Sequence, residues 1–402
     1  MLEEGQAPAP ANTLAPLVIT LAIQAVVSMA LLTLPVMAPV IASDLHVPTA
    51  WVGVYIAMAY VGAMLSSLSA GAAVDKWGAI RASQMGLGLC ALGLVLCSAA
   101  SLPAMAVGAV LIGLGYGPVT PASSHLLAKT TPVHRMSLVF SIKQTGVPLG
   151  GLMAGALVPT LALTTGWRGS LWVVAVVSLL CAGLAQSLRQ SLDAERNPFR
   201  VLALGNLAQP LKLIARHPAL KRLAAYSFVF SIAQLCLTTY LVTFLFQEIG
   251  QSLVAAGLVL SVGQAAGIAG RVGWGWLSDR YLGARRMLAV LAGLMTASCA
   301  ATALLGHGTP TWVLLAIVTV FGASAVGWNG VYLAEVARQA PPGMASVATG
   351  GTLTVTFFGV VVGPPLFGLI VNLTGTYRAG YAAVGALTLL CLVMLLRSGR
   401  RK

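Results

Sequence analysis

Apolar residues along this chain come in long blocks separated by short polar or basic turns, from Leu14 to Leu396. Blocks of roughly twenty residues are long enough to cross the ~30 Å hydrocarbon core of a bilayer as helices. Backbone amides find no water there, so a crossing is either a helix or part of a closed barrel, and the ten-residue alternation of barrel strands is missing. The pattern predicts twelve spans, with spans 1 to 4 at 14–42, 51–74, 80–100 and 104–128. Span 5 follows a basic turn at Lys129–Arg135 and runs to 163, and span 6 runs from the turn at Gly166–Arg168 to 187. Spans 7 to 12 are expected at 223–247, 252–278, 286–305, 311–337, 344–374 and 379–396. Pro35 and Pro39 are expected to bend the outer end of span 1, because proline removes a backbone donor. Glu3 and Glu4 are unlike the basic start of a cleaved signal, so span 1 is expected to remain in the protein.

The composition agrees with this pattern, at 58% hydrophobic and only 8% charged residues. A soluble protein of this length needs far more charge to cover its surface. The net charge of +14 could indicate nucleic acid, but its placement argues against that partner. Of 23 Lys and Arg, 19 fall in the tails or in loops assigned to one side, Arg168 and Arg378 fall in outer loops, and Lys143 and Arg271 lie within spans. This asymmetry places the basic side and both termini in the cytoplasm, against anionic lipid. Cys90, Cys97, Cys181, Cys236, Cys299 and Cys391 all fall within spans without CxxC spacing, so neither disulfides nor a metal site is expected. No cofactor is implied. HExxH, GxSxG and paired intramembrane carboxylates are also missing, which argues against an enzyme.

Residues 189–220 form the one sizeable polar segment. Arg189, Asp193, Glu195, Arg196, Arg200, Lys212 and Arg216 gather there with Pro198, Pro210 and Pro218. It reads as a cytoplasmic linker with a short surface helix, dividing a first half (1–188) from a second (221–402). The halves echo one another. Gly71, Asp75, Lys76, Gly78 and Arg81 follow span 2, and Gly275, Asp279, Arg280, Arg285 and Arg286 follow span 8. Thr165–Ser170 and Thr374–Tyr381 likewise both lead into the last span of a half. Paired six-helix repeats are a transporter architecture, with substrate bound near the midplane between them.

The turn after span 2 resembles the signature G-x-x-x-D-[RK]-x-G-[RK]-[RK] of the major facilitator superfamily, with Ile80 where a second basic residue is common. The copy after span 8 fits with one extra residue before Gly283. The resemblance covers essentially the whole chain. It implies an all-α membrane protein with twelve transmembrane helices in two six-helix repeats, the major facilitator fold. It also implies that the acid of the turn, Asp75 or Asp279, packs against a helix N-terminus of the other half and holds one end of the transport cycle closed. An acid beside a helix N-terminus is favourable by ~0.3–2 kcal/mol, enough to bias a two-state equilibrium without locking it. Lys76, Gly78, Arg81 and Arg280 complete this gating set, and the plainer reading is that the acids cap turns. Gly146, Pro148 and Gly150 resemble the Gly-Pro-rich motif of span 5 associated with antiporters, with Val147 separating Gly and Pro. Span 11 carries a similar cluster at Gly363, Pro364, Pro365 and Gly368, so both clusters read as hinges. Ala109 stands where many proton-linked relatives carry an Arg, which weakens a proton-relay role for span 4.

An ionised side chain at mid-bilayer costs ~2.5–3.5 kcal/mol, so Arg271 and Lys143 each need a reason. Both lie eight residues from a basic-side marker (Asp279 and Arg135), about 12 Å deep in a helix. Asp44 and Glu248 sit at outer span ends and Glu335 near the inner end of span 10, leaving no carboxylate at that depth. Spans 5 and 8 face each other in the superfamily fold, so an anionic substrate is the economical partner. The segment Arg271–Asp279 resembles span 8 of the oxalate/formate and monocarboxylate carriers, where such an Arg binds the carboxylate. Nitrate carriers hold comparable Arg residues. A planar guanidinium matches a carboxylate bidentately. The competing readings are contacts from Arg271 to backbone carbonyls and snorkelling of Lys143 to the interface. Gln264 lies on the face of Arg271, and Gln144 adjoins Lys143. Gln24, Tyr55, Tyr60, Gln234, Tyr240, Asn329 and Tyr332 are further candidates for substrate contact, each equally suited to bonding between helices.

The expected function is a secondary active transporter that moves a small organic anion, a carboxylate, across a bacterial inner membrane by alternating access. The alternative is a proton-coupled drug or metabolite efflux antiporter. A transport-deficient sensor on the same scaffold would need a signalling appendage. The expected partners are the small anion, a coupling proton or exchanged anion, and the lipid bilayer, with the protein a monomer.

Overall fold

The computed structural model describes residues 14–131, 136–194, 208–341 and 344–397. Glu3 and Glu4, Arg135, the linker residues Glu195, Arg196, Pro198 and Arg200, and the tail beyond Arg397 lie outside the described residues. Within them the regular elements are all helical. Eleven helices are long and apolar enough to cross a membrane. One of them, Ile142–Leu192, is interrupted at Gly166, whose φ of 72° only glycine adopts without strain. Near that break Trp167 and Arg168 bind Asp44 at the end of span 1, whereas Asp193 at the other extremity binds the start of span 3. The segment therefore crosses twice, as spans 5 and 6, and the expected twelve crossings are present.

The end carrying Lys76, Arg81, Arg280 and Arg286 is the basic end of the bundle. Asp44 and Glu248 mark the far end, where they pair with Arg168 at 3.3 Å and Arg378 at 3.5 Å.

Several spans are broken rather than continuous. Span 1 stops at Val36 and resumes as Ala38–Leu45 between Pro35 and Pro39, as their missing amides predict. Span 4 divides at Gly117 and Pro118 into Leu102–Tyr116 and Val119–Thr130. Span 5 divides at Thr145, and span 10 into Thr311–Ala325 and Asn329–Gln339. Span 7 starts at Pro218, five residues before the apolar run, because proline is preorganised for a first helical turn. The surface helix expected in the linker forms at Ala208–Arg216.

Close helix contacts rest on glycine. A Cβ on Gly113 of span 4 would stand 1.7 Å from the Ala59 carbonyl of span 2, and one on Gly150 of span 5 would stand 2.2 Å from the Ala25 carbonyl of span 1. Gly146 lies against Gln24 in the same seam, with Pro148 buried beside it, so the Gly-Pro cluster provides both a bend and a close approach.

One carboxylate of the basic end sits on a helix start within the first six spans. The carboxylate seated on a helix start belongs to Asp193, after span 6, which accepts from the Ile80 and Arg81 amides at 2.9 Å each. Gly78 makes this possible, since its φ is 93° and a Cβ there would stand 2.1 Å from Asp193 Cγ. Asp279 and Arg280 are instead exposed, and Asp75 is half-buried. Nothing lies within 4 Å of where a Cβ would stand on Gly71 or Gly275. Lys76 lies 6.0 Å from the Trp77 ring, and the Arg81 guanidinium donates to Gln84 at 3.5 Å.

Candidate functional site

A small cavity of about 30 Å³ lies where spans 1, 2, 4, 5, 7 and 8 meet. Its polar wall is Ser28, Tyr60, Tyr116, Gln234, Thr238 and Gln264. Leu31, Leu32, Val147 and Leu235 make the apolar wall. That space holds about one water, so a larger cargo has to widen it. Two positions expected from sequence, Gln264 and Gln234, thus meet here from different spans, with Tyr60 opposite. Gln234 also accepts from Trp328 Nε1 at 2.9 Å and from Asn329 Nδ2 at 3.4 Å, so Asn329 acts through Gln234 rather than on the cavity.

Lys143 is one helical turn from Val147, toward the basic end, and Gln24 one turn from Ser28 in the same direction. Lys143 is completely buried, and its Nζ has no hydrogen-bond partner. Snorkelling does not account for it. Gln24 accepts from the Thr120 hydroxyl at 2.9 Å, but its Nε2 has no partner, and neither does the Ser28 hydroxyl. Two N–H donor groups and a hydroxyl are therefore buried and unsatisfied on the facing surfaces of spans 1 and 5. Buried polar groups are nearly always paired, so this cluster calls for an acceptor.

Arg271 is engaged differently. Its Nε donates to the Val326 carbonyl at 3.1 Å, and its Nη1 to the Gln144 carbonyl at 2.7 Å. Both acceptors lie at helix breaks. In span 5, Gln144 would normally accept from residue 148, but Pro148 has no N–H, which frees that carbonyl for a guanidinium on another span. Trp274 Nε1 donates to Ala323 O beside the break in span 10 at 2.7 Å. The backbone-contact reading of Arg271 is thus realised. No carboxylate bonds either Arg271 or Lys143 among the described residues. Gln144 contributes its carbonyl to this arrangement, not its side chain.

Three expected contacts lie elsewhere. Tyr240 is buried at the far end, its hydroxyl placed 2.7 Å from Pro364 O and 3.0 Å from Ala50 O, its ring stacked on Phe367. Tyr332 donates to Ser227 Oγ at 3.0 Å within the last six spans. Tyr55 lines a separate apolar pocket of about 350 Å³ near the far end, beside Leu34, Ile41, Leu102 and Met105. Sequence reasoning missed Ser28, Tyr116 and Thr238. Single hydroxyls in apolar helices usually bond their own backbone, so nothing in the sequence singles them out.

Besides the Arg271 contact to Gln144, one set of contacts joins the first six spans to the last toward the far end. Thr49 donates to Gln247 at 3.0 Å and lies 2.8 Å from the Tyr377 hydroxyl, and Ser261 donates to Leu152 O at 2.9 Å.

A family model described as Major Facilitator Superfamily matches residues 19–361. The hexuronate transporter of Bacillus subtilis is 21% identical over 390 residues, covering 90% of this chain and 89% of that protein. Monocarboxylate transporter 13 of Rattus norvegicus is 26% identical over 261 residues, covering 63% of this chain and 58% of that protein. Against two uncharacterised mycobacterial relatives the match spans 60% of their length. Among solved structures, a bacterial homologue of the human lysosomal transporter Spinster, inward-facing and occupied, superposes with a TM-score of 0.78 at 15% identity, covering 99% of this chain and 98% of that one.

Proposed function

This chain belongs to the Major Facilitator Superfamily, and from that premise we propose that it is a secondary transporter of a small organic anion bearing a carboxylate. The observation that carries the reading is the Lys143 ammonium, fully buried without an acceptor, accompanied by the unsatisfied Gln24 amide and Ser28 hydroxyl. A carboxylate entering from the cavity supplies the missing acceptor, and its charge balances a cation that the polypeptide leaves unbalanced. Arg271 then works from the adjoining break. Two of its donors fasten span 8 to spans 5 and 10, and its charge adds to the positive potential beside Lys143. Gln264, Gln234 and Tyr60 form the ceiling that orients the uncharged part of the cargo. The names of the hexuronate and monocarboxylate relatives agree with a carboxylate.

The Tyr240, Thr49 and Tyr377 contacts hold the far end together, which supports entry of cargo from the basic end once that end opens, the side the positive-inside rule assigns to the cytoplasm. Alternating access follows if these contacts break as the basic end closes. A proton-exchange efflux cycle is less well supported. It would use a mid-span acid, whereas Glu335 is held by Arg338 and Gln339, and Asp44 and Glu248 lie at the far end.

The test is uptake of labelled carboxylates into proteoliposomes by the wild-type protein and by Lys143→Ala and Arg271→Ala. Saturable uptake is expected, lost in Lys143→Ala while that variant stays folded by circular dichroism. Normal transport by Lys143→Ala would remove the site, and failure of every anion in the panel would remove the cargo class.

A further inference from the structure

Between Glu195 and Glu248 the sequence contains no Asp or Glu, yet it carries Lys212, Arg216, Lys221 and Arg222 among the described residues. All four are exposed. They flank the bend at His217, where the linker helix Ala208–Arg216 meets span 7, Pro218–Gln247. In the linker helix Lys212 and Arg216 are one turn apart on one face, while Leu213 and Ile214 are buried against the bundle at 8% and 6% exposure. Just past the bend, Lys221 and Arg222 are exposed while Leu220 and Leu223 are buried. The sequence has thus built one amphipathic corner with its cations outward and its apolar side chains inward.

The depth of this corner follows from length. Span 7 has 30 residues, about 45 Å of helix, against a hydrocarbon core of ~30 Å. Its first residues must therefore stand among the headgroups on the basic side, and the linker helix lies beside them. None of the four cations has an ion-pair or hydrogen-bond partner among the described residues. The described acids of this end are engaged elsewhere or sit on other turns. Asp193 is held by the Ile80 and Arg81 amides, Glu335 by Arg338 and Gln339, and Asp75 and Asp279 belong to the turns after spans 2 and 8.

We propose that this corner is a binding site for anionic phospholipid, with the headgroup phosphates of the basic-side leaflet held by Lys212 and Arg216 on one side of the bend and by Lys221 and Arg222 on the other. Topology alone asks only for positive charge near a span end. Here four unpaired cations are also set on two helices that share one bend at headgroup depth. A lipid bound there fastens the linker helix to the start of span 7.

The test uses full-length protein, stripped of lipid and titrated with phosphatidylglycerol or phosphatidylcholine, with bound lipid counted by native mass spectrometry. A cation that touches the bound headgroup is worth roughly fivefold in affinity, and one out of its reach much less. Phosphatidylglycerol is therefore expected to bind more than about tenfold tighter than phosphatidylcholine. The pairs Lys212→Gln with Arg216→Gln and Lys221→Gln with Arg222→Gln should each lose about tenfold or more of that affinity. A control pair of exposed basic-end residues, Arg286→Gln with Arg397→Gln, should stay within about twofold of wild type. Equal binding of the two lipids overturns the proposal, and so does an equal loss in the control pair, which means diffuse surface charge. Should a paired variant fail to fold, photo-crosslinking of phosphatidylglycerol to the wild-type protein decides. Adducts within 208–222 support the site, and adducts confined elsewhere overturn it.

Discussion

Lys143 carries the sharpest consequence at the scale of single residues. A buried ammonium without an acceptor works against folding, and replacing such a charge with an apolar group of similar volume is often neutral or stabilising. Lys143→Met is therefore expected to raise the thermal stability of the cargo-free protein, by an amount on the order of 1–3 kcal/mol, while abolishing anion uptake. A melting temperature well below wild type would mean the amine already has a partner and has no need of an anion. Asp193 is the opposite case, a charge with both oxygens used. Asp193→Ala should cost ~0.5–2 kcal/mol, the usual worth of a cap on a helix start. Gly78→Ala should cost more, on the order of 1–3 kcal/mol from backbone strain alone, because the new methyl also meets the Asp193 carboxylate. Thermal-shift measurements on the three proteins test the order, and a Gly78→Ala protein as stable as wild type would contradict it.

At the scale of elements, the broken helices are where the chemistry gathers. Gln144, Val326 and Ala323 offer carbonyls near the breaks in spans 5 and 10, and span 8 answers with Arg271 and Trp274. Non-helical backbone inside a membrane persists only where protein or a cavity satisfies it, so each break and its donor need one another. Pro148→Ala restores an amide that competes with Arg271 for the Gln144 carbonyl. Hydrogen exchange should then show a protected amide at 148 and a looser contact between spans 5 and 8. A fast-exchanging amide there would show that the break does not depend on proline. A hydrogen bond from a charged donor is worth about 1.5–3 kcal/mol, so the competition is expected to be measurable.

For the whole molecule, the far end acts as a clasp. Tyr240 of span 7 reaches Ala50 and Pro364, and a Cβ on Gly53 would stand 2.0 Å from its hydroxyl. A Cβ on Gly368 would stand 2.7 Å from the Ala50 carbonyl. Gly53→Val cannot close this seam without displacing Tyr240, so it should shift the population toward a state separated at the far end. Spin-label distances between the far ends of spans 2 and 11 should lengthen relative to wild type. Unchanged distances would mean the clasp does not set the equilibrium.

Much of the architecture was legible in sequence because membrane insertion is decided segment by segment. A block such as Leu253–Leu277 is apolar enough to cross whatever its neighbours are, and the excess of basic residues in alternate loops orients the series. The Gly166 turn between spans 5 and 6 was legible for the same local reason. The depth of Lys143 and Arg271 followed from counting residues, but their partners did not. Arg271 finds carbonyls that exist only because Pro148 leaves one unmatched and span 10 breaks beside it, whereas Lys143 finds none. Tyr240 and Tyr60 look equivalent along the chain, yet one fastens the far end and the other lines the cavity. Asp193 lies at the start of the linker, and nothing along the chain marks it as the cap of span 3. The crossings are thus set by transfer of each segment from water to lipid, a property that sums along the chain. Which polar side chain is satisfied and which is left open depends on the meeting of spans distant in sequence, and only the tertiary structure decides that.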